Sequence, residues 1–131
     1  MPNAIVTGAS QGMGKVIAEI LLANGFSVAV CARNQQKLEA NASKWREQYP
    51  DATILAIKAD LSKIDQVDQF ADEVIARFSQ LDMLVNNAGL FLPGDLATEP
   101  DGLLEEMIGI NLYSAYWLTR KILPVMKAQR Q

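Results

Sequence analysis

The chain has 131 residues, half of them apolar, which is enough to bury the core of one compact domain. Its net charge of −3, with both signs scattered along the chain, argues against a nucleic-acid surface, and no apolar run approaches the length of a membrane span. Histidine is absent and cysteine occurs once, which excludes Ser-His-Asp and Cys-His catalysis and an internal disulfide, and argues against a zinc site.

The first half of the chain alternates short apolar runs with helical patterns. Residues 4–7 and 27–32 predict buried parallel strands. Residues 12–24 predict a helix between them, with Ile17, Ile20 and Leu21 at helical spacing and Gly25 as its stop. The next helix is predicted by apolar residues recurring at intervals of four, three and four, namely Leu38, Ala42, Trp45 and Tyr49.

The second half continues this alternation. Residues 53–58 and 83–86 predict two more strands, and Ser62 with Asp65 predicts a capping pair for the helix between them. The buried face of that helix is expected to consist of Val67, Phe70 or Ala71, Val74 and Phe78. A loop, whose residues 90–93 are candidates for the entrance of a substrate pocket, leads into a long apolar helix from about residue 102 toward 129.

This order of strands and helices predicts an α/β domain, with a parallel sheet, helices on both faces and right-handed crossovers. Such folds bind ligands outside the carboxyl ends of the strands, where the strand order reverses. The chemistry-bearing residues of this sequence follow its predicted strands and therefore fall at those ends.

A glycine-rich segment joins the first strand to the first helix. Gly8 can make a tight turn, Gly12 leaves room for a ligand beside the backbone, and Gly14 allows helix and strand to pack closely. A turn of this kind brings backbone amides and a helix N-terminus against a pyrophosphate, so it predicts nucleotide binding. The alternative is a strand-to-helix turn with incidental glycines.

The second strand ends at Arg33 rather than at an acid. An acid at this position accepts from the ribose 2′-hydroxyl of NAD, whereas an arginine can pair with the 2′-phosphate of NADP. A cation near a helix N-terminus is mildly unfavourable unless a ligand compensates it, so the residue favours NADP over NAD. The alternative is a solvated surface arginine.

Three further segments each allow a functional and a purely structural interpretation. Asp60 after the third strand can accept from an adenine amino group or help to cap the next helix. Residues 86–89, with the sequence Asn-Asn-Ala-Gly, fit a ligand contact at a strand end or an ordinary turn. Asn111 lies amid apolar helical neighbours, where it either serves a site or bonds a neighbouring carbonyl.

Taken together, these motifs resemble the short-chain dehydrogenase/reductases in order and approximate spacing, over essentially the whole chain. The resemblance implies a Rossmann-like, doubly wound sheet of about four strands in the order 3-2-1-4. It implies a phosphate loop lined by Ser10, Gln11 and Met13 and adenine contacts from Asp60 and Leu61. It further implies that Arg33 matches the position that contacts the NADP 2′-phosphate. The remaining implied coenzyme and sheet contacts are Asn87, Ala88 and Gly89.

The resemblance also assigns Asn111 to a catalytic tetrad, in which a local helix irregularity lets it hold a water of the proton relay. The family's proton donor is the tyrosine of a Tyr-x-x-x-Lys pair, assisted by a serine. No tyrosine of this chain fits, because Tyr49, Tyr113 and Tyr116 precede Thr53, Trp117 and Arg120 at that spacing. Residues 1–131 are therefore expected to form an incomplete, inactive coenzyme-binding domain whose fourth strand lies at the sheet edge.

The expected function is NADP(H)-dependent oxidation or reduction of a small alcohol or carbonyl compound by the complete enzyme. We expect a cytosolic protein that forms homo-oligomers, without a metal, nucleic acid or membrane as partner. The alternatives are a non-catalytic dinucleotide-binding or sensing module and a methyltransferase-like domain that binds S-adenosylmethionine.

Overall fold

In a computed structural model of the chain, which describes residues 1–89, 95 and 97–129, the predicted parallel sheet is present. Its strands are β1 (Asn3–Thr7), β2 (Ser27–Ala32), β3 (Ile54–Lys58) and β4 (Met83–Val85). They lie in the order β3-β2-β1-β4, and every neighbouring pair is parallel. The predicted fold class and strand order are thereby confirmed. The candidate pocket-entrance residues 90–93 lie outside the described residues.

The helices are α1 (Gly12–Ala23), α2 (Gln35–Gln48), α3 (Ile64–Arg77), α4 (Leu103–Ile108) and α5 (Ser114–Ala128). A π-helical segment, Gly109–Tyr113, joins α4 to α5. The long helix expected over 102–129 is thus interrupted, while Pro124 lies inside α5 without ending it. No helix of the described part of the chain is long and apolar enough to cross a membrane.

The sheet separates two apolar cores because alternate strand residues face opposite sides. On one side, Ile5 and Ala29 pack in a cluster with α3 residues such as Phe70 and with Leu118 of α5. On the other side, Val6 belongs to the cluster formed with α1 and α2. Helices therefore cover both faces of the sheet, as in a doubly wound fold.

The predicted faces of α2 and α3 are confirmed, but that of α1 is partly wrong. Ile20 is 56% exposed, although the spacing placed it with Ile17 and Leu21 on an apolar face. The residues of α1 that are buried are Gly14, Ala18, Leu21 and Leu22. Because the small residues Gly14 and Ala18 bring the helix close to the sheet, Ile20 lies on the opposite side.

The predicted capping pair of α3 is also wrong. Lys63 precedes the first turn, and no side chain caps the helix. The Ser62 hydroxyl instead donates to Oδ1 of Asp60 over 2.7 Å. The helix begins one residue later than the pair requires, since Ser62 and Asp65 could form a capping pair only if Ser62 were the N-cap.

The strand β4 lies at an edge of the sheet, as predicted. Met83 is 39% exposed, and Leu84 and Val85 are only half-buried, in contrast to the six buried residues of β2.

Candidate functional site

A cleft of about 480 Å³ lies at the carboxyl ends of the strands, a size within the range of roughly 300–1,000 Å³ usual for small-molecule sites. Segments that follow all four strands contribute to its walls. The lining residues are Gly8, Ser10, Gln11, Gly12, Cys31, Ala32, Arg33, Asn34, Lys37, Ala59, Leu61, Asn87, Ala88, Gly89 and Ile110. Since β1 is flanked by β2 and β4, the cleft coincides with the point where strand order reverses.

The glycine loop between β1 and α1 has the backbone conformation that its sequence predicts. Gly8 and Gly12 have φ angles of 67° and 62°, in the left-handed region that side chains disfavour. The amides of Gly8 and Ala9 donate to the carbonyl oxygen of Cys31 over 3.0 and 3.3 Å, which ties the loop to the end of β2. A Cβ atom at Gly12 would meet nothing within 4 Å, so the loop leaves open space at that point.

Gly14 serves the packing of the loop rather than the lining of the cleft. A Cβ atom there would overlap the carbonyl oxygen of Gly8 and lie 2.5 Å from Nδ2 of Asn87. The first turn of α1 therefore reaches the loop and the end of β4 only because residue 14 has no side chain. That turn carries no acidic residue, so no carboxylate of the helix's own first turn neutralises the positive end of its dipole beside the cleft.

Thr7, the last residue of β1, joins the ends of β1 and β4. It is 1% exposed, and its Oγ1 accepts hydrogen bonds from the amides of Asn87 and Ala88 over 2.9 and 2.8 Å. The side-chain amide of Asn87 also donates to the carbonyl of Gly8 over 3.4 Å. Asn86 is directed elsewhere, since its Nδ2 donates to Thr119 of α5 over 3.0 Å.

Two polar residues of α2 hold the glycine loop from the other side. Nδ2 of the buried Asn41 donates to the carbonyl of Ser10 over 2.8 Å. The Lys37 ammonium donates to Oε1 of Gln11 over 2.9 Å. Both Lys37 and Gln11 line the cleft, so a cation and a helix N-terminus lie close together there.

Arg33 lines the cleft directly after β2. Its guanidinium lies 3.7 Å from a carboxylate oxygen of Glu106 in α4, and both side chains are about half exposed. The following residue, Asn34, caps α2 by accepting from the amide of Lys37 over 3.1 Å. The cap fixes the chain direction that leaves Arg33 at the cleft.

Asp60 does not line the cleft, although its neighbours Ala59 and Leu61 do. Its Oδ1 accepts from both the amide and the hydroxyl of Ser62, over 3.1 and 2.7 Å. Partial burial alone would raise the pKa of this carboxyl, but the Ser62 hydrogen bonds and the charges of Arg33 and Lys63 outweigh it and hold the pKa below its usual value. Asp60 is therefore an anion at neutral pH.

Asn111 occupies the π-helical segment, which matches the helix irregularity that the family resemblance implies. A Cβ atom at Gly89 would lie 3.2 Å from Oδ1 of Asn111, so this side chain reaches the loop after β4. Ile110, the preceding residue, lines the cleft, which places the segment beside it.

The predicted site residues fall into two groups. Those that line the cleft are Gly8, Ser10, Gln11, Gly12, Arg33, Leu61, Asn87, Ala88 and Gly89; those that do not are Met13, Gly14, Asp60 and Asn111. Met13 is 71% exposed. Among the residues missed by the sequence analysis, Lys37 carries a signal like that of Arg33, a cation near the start of α2.

Cys31 lines the cleft, but its thiol is protonated at neutral pH and therefore poorly suited to act as a nucleophile. Burial raises its pKa to about 12, and a hydrogen bond with the backbone of Gly8 lowers it only in part.

Comparison with known proteins gives one consistent result. The family model described as short chain dehydrogenase matches residues 2–131. A putative oxidoreductase of Bacillus subtilis is 32% identical over 99% of this chain and 51% of its own length. A 3-oxoacyl-[acyl-carrier-protein] reductase of Staphylococcus epidermidis is 34% identical over 98% of this chain and 52% of its own. The chain thus spans about half the length of the curated relatives that it matches.

Two solved structures extend this similarity to the backbone. L-sorbose reductase from Gluconobacter frateurii, complexed with NADPH and L-sorbose, superimposes with a TM-score of 0.91 at 27% identity, covering 98% of this chain and 48% of that one. Alcohol dehydrogenase from Thermococcus sibiricus, complexed with 5-hydroxy-NADP, gives a TM-score of 0.91 at 31% identity, covering 98% and 54%.

Proposed function

Because the chain belongs to the short-chain dehydrogenase family, we propose that it is the coenzyme-binding part of an NADP(H)-dependent oxidoreductase that acts on carbonyl or alcohol substrates. The observation that carries the proposal is the cleft in which the glycine loop and Arg33 converge at the carboxyl ends of the strands. When bound, the nicotinamide would supply or accept a hydride.

The glycine loop fits the pyrophosphate of a dinucleotide. The left-handed Gly12 exposes backbone at a point where nothing lies within 4 Å of its Cβ position. The amides of the first turn of α1 remain without intrahelical partners there, and that turn carries no acid that would repel an anion. We assign Gly8, Ser10, Gln11 and Gly12 to this contact, with Met13 and Gly14 completing the loop.

The adenosine end fits the loops after β2, β3 and β4. Arg33 would hold the 2′-phosphate of NADP through charge-assisted hydrogen bonds, which NAD cannot form. We assign the adenine contact to Asp60 and Leu61. Leu61 lines the cleft, and the ionised carboxylate of Asp60, in the same loop, would accept from the adenine amino group. The ribose contacts are assigned to Asn87, Ala88 and Gly89. The NADPH and NADP named with several similar structures support this preference.

Titration calorimetry with NADPH, NADH and S-adenosylmethionine tests the coenzyme assignment. We expect NADPH to bind most tightly, and Arg33→Ala to weaken NADPH by about ten- to hundredfold, the loss of a hydrogen-bonded ion contact, while NADH changes little. Arg120→Ala removes an exposed arginine of α5 that does not line the cleft and should leave both unchanged.

Three results of this titration would contradict the assignment. An equal loss of NADPH and NADH affinity in Arg33→Ala would reject the 2′-phosphate contact. Tighter binding of S-adenosylmethionine than of either dinucleotide would favour a methyltransferase-like domain. Absence of all binding at millimolar ligand would reject the proposed site.

Asn111 is the catalytic residue that we propose within the chain. From the π-helical segment beside the cleft it would hold a water of the proton relay. The tyrosine that would exchange the proton with substrate has no counterpart among Tyr49, Tyr113 and Tyr116, none of which is followed by lysine four residues later. We assign that step to residues outside 1–131.

Residues 1–131 alone are therefore expected to bind NADPH without catalysing carbonyl reduction. The absorbance of NADPH should stay constant with a panel of small ketones and aldehydes, at protein concentrations where calorimetry shows the coenzyme bound. Robust ketone-dependent NADPH oxidation would contradict this prediction and would require a proton donor within the chain.

The missing tyrosine–lysine pair also supports a second candidate, a dinucleotide-binding or sensing module without catalysis. The reading frame that encodes the chain separates the two, since a Tyr-x-x-x-Lys pair beyond residue 131 decides for the enzyme.

We further propose that the protein self-associates, because α5 and the segment before it expose Leu112, Tyr116 and Leu123.

A further inference from the structure

The pairing of Arg33 with Glu106 brings a carboxylate from α4 to the end of β2. The nitrogen and oxygen atoms are 3.7 Å apart, and the two side chains are 48% and 46% exposed. The residues are far apart in sequence, and α4 is the first helix after the loop that follows β4. Glu106 therefore contacts Arg33 from a different part of the fold than the loop that carries Arg33.

The two cations that line the cleft have different partners. Lys37 donates to the neutral side chain of Gln11, whereas Arg33 faces an anion. A carboxylate presents two oxygens to a guanidinium in much the same way as a phosphate does. Glu106 approaches one nitrogen of the Arg33 guanidinium, where an anionic group of a ligand would also bind.

The helix that carries Glu106 is weakly anchored by its own side chains. None of the residues of α4 is buried, and Gly102, which precedes it, has a φ of 92°. The Glu106 carboxylate can therefore turn into solvent without uncovering the core. Displacing it requires breaking only a half-exposed ion pair, the kind of interaction that contributes little to stability.

From these contacts we infer that Glu106 is a selectivity-determining residue that competes with the 2′-phosphate of NADP(H) for Arg33. The inference rests on the proposed function. NAD(H) lacks the 2′-phosphate and leaves the ion pair intact, whereas NADP(H) must displace the carboxylate and then tolerates its negative charge nearby. Glu106 therefore lowers the ratio of NADP(H) affinity to NAD(H) affinity that Arg33 produces.

Titration of Glu106→Gln with NADPH and NADH tests the competition. We expect the dissociation constant for NADPH to fall by about two- to fivefold, the range of a half-exposed ion pair, with NADH unchanged. The gain should shrink at high ionic strength, because salt screens exposed charges. Glu105→Gln is the matched control, since this neighbouring residue of α4 is exposed and its carboxylate forms no ion pair within the described part of the chain.

The double variant separates competition from a general charge effect. In the Arg33→Ala background, Glu106→Gln should no longer alter NADPH affinity if the two residues act through each other. An equal gain in both backgrounds, an equal gain for NADH, or the same gain in Glu105→Gln would overturn the inference.

The failure of this inference is distinguishable from that of the proposed function. If Arg33→Ala weakens NADPH while Glu106→Gln leaves it unchanged, the coenzyme assignment stands and the competition is rejected. If Arg33→Ala leaves NADPH affinity unchanged, the 2′-phosphate contact is rejected and the competition with it.

Discussion

Replacement of Gly14 by alanine is expected to lower the free energy of unfolding by at least about 2 kcal/mol. An overlap with backbone atoms lies at or above the upper end of the usual overpacking cost of about 1–3 kcal/mol, and the better helix propensity of alanine returns only about 1 kcal/mol. The added Cβ would overlap the Gly8 carbonyl oxygen and lie 2.5 Å from Nδ2 of Asn87. Since Gly8 is itself backbone in the glycine loop, α1 or the loop would have to shift.

Urea unfolding followed by the fluorescence of the two tryptophans, the buried Trp45 and the half-buried Trp117, measures this loss. Gly25→Ala is the control, because Gly25 has a φ of 86° but open space around its Cβ position. The free energy of unfolding of that variant should fall by only about 1–2 kcal/mol, the cost of placing alanine in the left-handed region. A Gly14→Ala protein as stable as the wild type would show that the loop does not pack against α1 as described here.

Thr7→Val is expected to cost about 2–4 kcal/mol of the free energy of unfolding, although valine has nearly the same shape. The hydroxyl oxygen that it removes accepts from two backbone amides, those of Asn87 and Ala88. Both donors are half-buried, so the loss for each lies in the lower part of the range of about 1–3 kcal/mol for a donor left without a partner. Because these amides fix the end of β4 against β1, we also expect weaker NADPH binding.

Thr7→Ser is the matched control for this variant. It keeps the acceptor and removes one methyl group, so its cost should be near 1 kcal/mol. Unfolding and NADPH titration of the two variants side by side isolate the hydroxyl. Equal stability of the valine and serine proteins would show that the amides of Asn87 and Ala88 do not depend on Oγ1 of Thr7.

The sequence predicted the architecture well because its signals are local and repeated. The apolar runs marked β1 to β4, and Leu38, Ala42 and Trp45 marked the buried stripe of α2, as the structure confirms. Such patterns need no knowledge of tertiary contacts, since the buried face of each element is encoded within the element itself.

The predictions that failed depended on where a helix begins and on which of its faces packs on the sheet. Ser62 was expected to cap α3, but the helix begins after Lys63, and Ser62 instead belongs to the turn in which its hydroxyl donates to Asp60. Ile20 was expected on the buried face of α1, but that face is formed around the small residues Gly14 and Ala18, and Ile20 faces outward. Spacing alone does not show at which residue a helix begins, or which of its faces packs on the sheet.

The parts of the candidate site that the sequence missed are long-range contacts. Asn41 lies in the buried stripe of α2, where a polar residue is itself a signal, but nothing local shows that it holds Ser10. Glu106 is one of two adjacent acids in α4, and its approach to Arg33 depends on the folded arrangement of α4 and β2. The π-helical segment was anticipated from family resemblance, not from periodicity.

Because Cys31 is buried, the rate at which its thiol is alkylated reports how often the folded protein opens around it. The thiolate is the form that alkylating reagents attack, and a thiol that is 1% exposed with a pKa of about 12 offers almost none of it at neutral pH. Because the chain has no second cysteine, labelling by iodoacetamide would measure how often the end of β2 becomes exposed to solvent. The rate of mass gain thereby compares glycine-loop variants without any attached dye.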